Sequence, residues 1–256
     1  MFRSALVRPP GHNFADGISA ADLGAPNLAL ALSQHADYCA ALTDCGLELL
    51  RLPPDDAYPD STFVEDTTIL AGGHALLTRP GADRRRGEVA AIGIALGVQG
   101  LVSGGIDAPG TLDGGDVCEC AGVVYVGLSA RTNVAGADQL EAWLATLGLP
   151  LRRIDIRAMP DLLHLKSGMS WLGEGRIAIV EDLRAPLADS GFELLAVEPG
   201  EAYGANCVRV NDTVLVAAGH PRFEAQLARL GHRTRTLDVS EFRKMDGGLS
   251  CLSLRW

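Results

Sequence analysis

Thr62-Phe-Val-Glu-Asp-Thr-Thr-Ile-Leu70, then Ala71-Gly-Gly-His74, then Ala75-Leu-Leu-Thr78 reads as strand, turn, strand. The pattern returns in Asp116-Val-Cys-Glu-Cys120, Ala-Gly, Val123-Val-Tyr-Val126. It returns again in Met169-Ser-Trp-Leu172, Gly-Glu-Gly, Arg176-Ile-Ala-Ile-Val180, and in Cys207-Val-Arg-Val210, Asn-Asp, Thr213-Val-Leu-Val216. Short loops containing Gly or Asn between alternating apolar runs are hairpin signals. A fifth copy is split between the ends of the chain, with Ser250 to Leu254 expected to pair against Arg3-Ser-Ala-Leu-Val7.

Most hairpins are followed by a helical stripe. Leu140, Trp143, Leu144 and Leu147 form one before Gly148, a C-cap residue; Phe223, Leu227 and Leu230 form another before Gly231. Leu28, Leu32, His35, Cys39 and Leu42 form a third, ending near Gly46. The spacing of His35 and Cys39 suits a metal, but two ligands are half a site, so the pair is read as core. Units repeating every few tens of residues point to solenoids or propellers. Five β/α units joined through their two ends predict a propeller-like ring with a central site. No linker, low-complexity stretch or charge block divides residues 1–256, so one domain is expected.

Composition narrows the setting. A net charge of −10 argues against nucleic acid, whose phosphates need a basic surface. No apolar run reaches the length of a membrane span, and Met1-Phe2-Arg3 leads directly into Ser4-Ala5-Leu6-Val7 without a signal-peptide pattern. Six cysteines at 39, 45, 118, 120, 207 and 251 lack the spacing of a disulfide framework. Reduced thiols in the cytoplasm are the expectation. Cys118 and Cys120, alternating with Glu119, are read as packing residues.

Candidate chemistry recurs at one point of successive repeats. Asp60, Glu65 and Asp66 stand at the start of the first hairpin, Asp113 in Leu112-Asp-Gly-Gly-Asp116 at the next, and His164 at the one after. Glu65 and Asp66 cannot both face inward along a regular strand, but at a strand end the three carboxylates can converge. Such a cluster repels itself unless a cation joins it. Gly114 and Gly115 let the backbone turn sharply or pass close to a ligand. Cys251 lies behind Gly247 and Gly248 near the end of the chain, in a run that alternates like a strand. Alone it reads as a small buried hydrophobe. In the repeat register, a cysteine, a histidine and a carboxylate make a nucleophile, its acid/base partner and the group that orients the imidazole.

Seven blocks carry a resemblance. They are Pro-Asp-Ser-Thr-Phe-Val-Glu-Asp (59–66), Thr-Arg-Pro-Gly-Ala (78–82) with Arg84-Arg85-Arg86, Leu-Asp-Gly-Gly-Asp (112–116), Gly-Leu-Ser-Ala-Arg-Thr-Asn (127–133), Leu-His-Leu-Lys (163–166), Ala-Asn-Cys (205–207) and Asp-Gly-Gly-Leu-Ser-Cys (246–251). In order and spacing they resemble the dimethylarginine dimethylaminohydrolases, of the guanidino-group-modifying or pentein superfamily. The resemblance implies a five-bladed α/β propeller that hydrolyses asymmetric dimethylarginine and monomethylarginine to citrulline plus dimethylamine or methylamine. By the same resemblance Cys251 is the nucleophile, His164 the general acid/base and Asp113 the triad carboxylate. Bacterial members also carry Glu at that last position, which alters reach and not role. Asp60, Glu65 and Asp66 match substrate contacts, with Asp66 against the guanidinium. Arg85, within its run of three arginines, and Arg131 match the arginines on the α-carboxylate. Ile18 falls where the family has an apolar lid residue, and with Phe63 it is expected to offer surface to the methyl groups.

A guanidinium carbon is a poor electrophile, so catalysis has to localise its charge, and carboxylates across its nitrogens do so. The implied route is a covalent thiouronium on Cys251, with no metal or organic cofactor. The partner expected is a small methylated arginine, with no nucleic acid and no membrane; the resemblance adds a homodimer. The competing readings are an arginine deiminase-type hydrolase releasing ammonia and a non-catalytic binding propeller.

Overall fold

The computed structural model describes all 256 residues, Met1–Trp256. They form two compact units: Met1–Phe63 with Gly168–Trp256, and Val64–Ser167. Five three-stranded sheets follow one plan, an antiparallel hairpin whose second strand also pairs in parallel with a third.

The first unit holds three sheets. In one, Ser4–Val7 pairs antiparallel with Leu254–Arg255 and parallel with Glu48–Arg51. The second joins Met169–Gly173, Arg176–Ile179 and Glu193–Ala196; the third joins Val208–Val210, Thr213–Ala217 and Arg233–Leu237. The second unit holds Thr68–Ala71, His74–Leu77 and Val102–Gly105, and then Val117–Cys120, Val123–Leu128 and Leu151–Asp155.

Hairpin loops of two residues explain the tight repeats. Gly72 and Gly73, Ala121 and Gly122, and Glu174 and Gly175 all have positive φ, as a type I′ turn requires of both central residues. A parallel third strand needs a crossover, and helices supply it in four sheets: α1 (Leu28–Asp44), α2 (Glu88–Val98), α3 (Val134–Thr146) and α4 (Pro221–Arg229). Asn27 and Asn133 cap α1 and α3, their side chains accepting from Leu30 N and Gly136 N. Residues 180–192 make the remaining crossover without an α-helix. No helix is long and apolar enough to cross a membrane.

Two expectations change. The buried face of α1 runs through Ala31, Gln34, His35, Tyr38, Cys39 and Leu42, while Leu32 is exposed. Gln34 replaces it inward because its amide bonds Ser240 Oγ at 2.9 Å and accepts from Glu241 N at 3.1 Å, on the short helix α5 (Ser240–Arg243). The C-terminal strand is shorter than expected: only Leu254 and Arg255 pair with Leu6 and Ala5, and Ser250–Leu252 form a 3-10 turn. The tail is nevertheless tied down, since Tyr38 Oη lies 2.7 Å from Ser253 Oγ in the core.

The hairpins share one further feature that positions chemistry. A 3-10 turn immediately precedes or closely leads into the first strand of each sheet: Val64–Thr67, Gly114–Asp116, Leu165–Ser167, Pro199–Ala205 and Ser250–Leu252. Glu65 and Asp66 lie in the first of these turns and Cys251 in the last, while Asp113 and His164 directly precede the second and third.

Candidate active site

In the unit Val64–Ser167, Glu65 and Asp66 lie in a 3-10 turn and not in a strand, so period-two alternation does not separate them, and both are buried. Asp66 Oδ2 meets Arg85 Nη1 at 2.6 Å and its Oδ1 accepts from Gly115 N at 2.9 Å. Glu65 instead takes Lys166 Nζ at 2.6 Å. Asp113, fully buried, accepts His164 Nε2 on Oδ2 at 3.0 Å and Gly81 N on Oδ1 at 2.8 Å. His164 Nε2 is also 4.0 Å from Asp66 Oδ1.

The two glycines of the Asp-Gly-Gly-Asp motif now have a steric reason. A methyl group on Gly115 would come within 2.8 Å of Asp66 Oδ1 and of the His164 ring, and one on Gly114 within 2.0 Å of the Glu65 carbonyl. Backbone without side chains is what lets the carboxylate and the imidazole close on this turn.

Electrostatics follow from these contacts. Burial alone would lower the pKa of His164, but Asp66, the Asp113 hydrogen bond and Asp116 outweigh it and raise it to about 9. Burial would raise Asp66, yet His164, Arg85 and the Gly115 amide hold it down to about 2. A protonated imidazole beside an ionised carboxylate is the resulting state at neutral pH. Donor atoms of Asp66, Asp113 and His164 lie within 4.8 Å of one another, a spacing that a cation would fit. Here Arg85 and the imidazolium supply the positive charge.

Arg85 is buried, with Nε and Nη2 on Glu88 at 2.9–3.2 Å and Nη1 on Asp66. A guanidinium shared by two buried carboxylates is held in place by their charge. Of its neighbours, Arg84 is exposed and Arg86 is turned to the Pro80 carbonyl and Asp83. Arg131 is half-buried, its own N–H donating to Ser129 Oγ at 2.9 Å. Glu88 had no mark in the sequence reading; its place three residues after Arg85, in the first turn of α2, was the available signal.

In the other unit, Cys251 is a nearly buried free thiol in the 3-10 turn, its N–H donating to Gly248 O at 3.2 Å. Asn206 braces that turn, accepting from Ser250 N at 3.0 Å and donating to Ser250 Oγ at 3.2 Å. Asn206 packs so closely that a methyl group on Gly248 would meet its Oδ1 at 2.5 Å. Asn206 belonged to a quoted block, Ala-Asn-Cys, yet received no role from sequence. Asp60 is buried and accepts the Ile18 N–H at 3.0 Å and 3.2 Å with its two oxygens, fixing the segment that carries Ile18. Ile18 itself is half-buried. Phe63 is buried, packed 6.1 Å from Phe14 and 6.3 Å from Phe242 between ring centroids, with its edge on Gly247.

The His35/Cys39 and Cys118/Cys120 pairs lie in the core. His35 Nδ1 is 3.6 Å from Cys39 Sγ, and burial pushes this imidazole down to about 4, a neutral core residue. Cys118 and Cys120 are buried with their sulfurs 3.8 Å apart.

No family model matches the chain. It is 39% identical over 259 residues to the N(G),N(G)-dimethylarginine dimethylaminohydrolase of Pseudomonas aeruginosa, covering 100% of both. It is 38% identical over 257 residues to the protein of that name from Streptomyces coelicolor, covering 99% of this chain and 96% of the relative. A solved structure of the Pseudomonas aeruginosa protein, a cysteine-to-serine variant complexed with citrulline, matches with a TM-score of 0.96 at 38% identity over 100% of each chain. The N-terminal domain of ArgZ, a cyanobacterial arginine dihydrolase, shares the fold with a TM-score of 0.88 at 18% identity, over 100% of this chain and 97% of that domain. The fold class is thus the five-bladed α/β propeller of the penteins. With two relatives above a third identical along nearly their whole length, the chain belongs to the dimethylarginine dimethylaminohydrolase family.

Proposed function

We propose that this protein hydrolyses asymmetric N-omega,N-omega-dimethylarginine and N-omega-monomethylarginine to citrulline plus dimethylamine or methylamine, through a covalent thiouronium on Cys251. The observation that carries the reading is the His164–Asp113 hydrogen bond beside the ionised Asp66. It supports an imidazolium able to give up a proton next to a carboxylate able to hold a guanidinium.

Cys251 attacks the guanidinium carbon as thiolate, forming the C–S bond. His164 protonates the departing amine as the C–N bond breaks, and the thiouronium remains. His164 then takes a proton from water, whose oxygen adds to the same carbon; the C–S bond breaks to return the Cys251 thiolate, the added hydroxyl loses its proton to solvent as the carbonyl forms, and citrulline leaves. Asp113 holds Nε2, so Nδ1 is the ring nitrogen assigned to the proton transfers. Asp66 localises the guanidinium charge directly, and Arg85 keeps Asp66 ionised and aimed. Arg131 is assigned to the α-carboxylate, Asp60 to the lid segment bearing Ile18, and Glu65 to the substrate side of its Lys166 pair.

The reading takes residues 1–256 as one catalytic domain, in the cytoplasm and as a homodimer. Six free cysteines are compatible with a reducing compartment; sedimentation tests the dimer. The deciding assay is citrulline formation from asymmetric dimethylarginine, symmetric dimethylarginine and arginine. A methyl group in an apolar surround is worth roughly 1–3 kcal/mol of selectivity, so the asymmetric compound should exceed arginine by at least about tenfold in kcat/KM. The symmetric isomer should fail, because it methylates a nitrogen that the carboxylates hold. Equal turnover of arginine with release of ammonia would replace this reading with a deiminase.

A further inference from the structure

Asp116 is fully buried, takes no part in the chemistry above, and receives three donors from three places in the chain. Ser129 Oγ donates to Oδ2 at 2.6 Å, Thr132 Oγ1 to the same oxygen at 2.7 Å, and Leu165 N to Oδ1 at 3.0 Å. Each donor leads to a residue with an assigned role. Leu165 follows His164 directly. Ser129 Oγ accepts the N–H groups of Arg131 at 2.9 Å and Thr132 at 3.1 Å. Thr132 Oγ1 accepts the Asp113 N–H at 3.1 Å.

We propose that Asp116 is a positioning residue that sets His164, Asp113 and Arg131 in one register through these three bonds. The inference rests on the function proposed above for its meaning in turnover, but not for its geometry. Both hydroxyl oxygens already accept backbone N–H groups, so each has its single proton to give, and Asp116 is where it goes. Leu165 N can only donate. The site therefore requires an acceptor at both oxygens, which a carboxylate offers and an amide does not. Burial drives the Asp116 pKa up to about 6, with His164 and the three donors opposing that rise. Its negative charge in turn is one of three, with Asp66 and Asp113, that keep His164 protonated.

Asp116→Asn conserves shape while turning an NH2 group toward a donor. Measured on the full chain, with circular dichroism to verify folding, it should lower kcat for asymmetric dimethylarginine by at least about tenfold, the scale of one buried bond left unmatched. KM should rise several-fold through the Arg131 loop, and the His164 titration midpoint followed by NMR should move down. Thr132→Val removes one of the donors and should act in the same directions by less; it carries the test if Asp116→Asn does not fold. Unchanged kcat, KM and midpoint in a folded variant would overturn the proposal. So would a fall in kcat with an unmoved midpoint, which is what mere structural damage produces. If the parent protein failed to convert any methylarginine, the proposed function would fail, and the titration would still decide whether Asp116 acts on His164.

Discussion

Arg85 lies between two buried carboxylates, 2.6 Å from Asp66 Oδ2 through Nη1 and 2.9 Å from Glu88 Oε2 through Nη2. Removing the cation from such a group leaves unpaired charge in a dry place, which typically costs about 3–5 kcal/mol. Arg85→Ala is therefore expected to lower unfolding free energy by roughly that amount in denaturant titration. Glu88→Gln keeps the volume and should reduce kcat by about tenfold with a smaller loss of stability, because Arg85 then leans on Asp66 alone. Stability unchanged in Arg85→Ala would mean that the three groups are already solvated.

Cys251→Ser should fold as the parent does, since serine is slightly smaller and Asn206 braces the turn through residue 250. Citrulline formation should fall below detection. Mass spectrometry of the parent protein quenched during turnover should find the adduct on the peptide holding Cys251. An adduct on Cys207 or Cys118 would reassign the nucleophile.

Opposite pH limits follow from the two shifted groups. His164 is raised to about 9 from 6.5, so its contribution to stability is complete below 6.5 and is lost as pH rises through about 9. Asp66 is lowered to about 2 from 3.8, so its contribution is present above 3.8 and is lost as pH falls through about 2. The proton on His164 should titrate near pH 9 by NMR, and Asp113→Asn should lower that midpoint. A midpoint near 6.5 in the parent protein would show that the carboxylates do not act on the imidazole as described.

Gly114→Ala should be more damaging than an ordinary turn substitution, because the new methyl group would meet the Glu65 carbonyl, which is backbone and cannot swing away. The expected cost is about 1–3 kcal/mol from overpacking. Gly115→Ala presses on side chains, Asp66 and His164, and should reduce kcat more than it reduces melting temperature. The reverse ranking of the two variants would contradict the steric account.

The sequence by itself determined the repeat, the hairpins and three crossover helices, because period-two and period-3.6 patterns and two-residue Gly or Asn loops are properties of neighbouring residues. Its seven separated blocks also identified the family and brought Cys251, His164, Asp113 and Asp66 forward as candidates. Only the tertiary structure decided who holds whom. Asp66 meets Arg85 across 19 residues and Gly115 across 49, and Asp113 meets His164 across 51. Phe63 became core because Phe14 and Phe242 arrive from distant segments, and Arg85 turned inward because Glu88 and Asp66 face it from both sides. Asp116 looked like one more turn carboxylate until three donors from residues 129, 132 and 165 closed on it. Spacing along a chain sets which way a side chain points locally; its charge state and its role depend on the partners that folding brings to it.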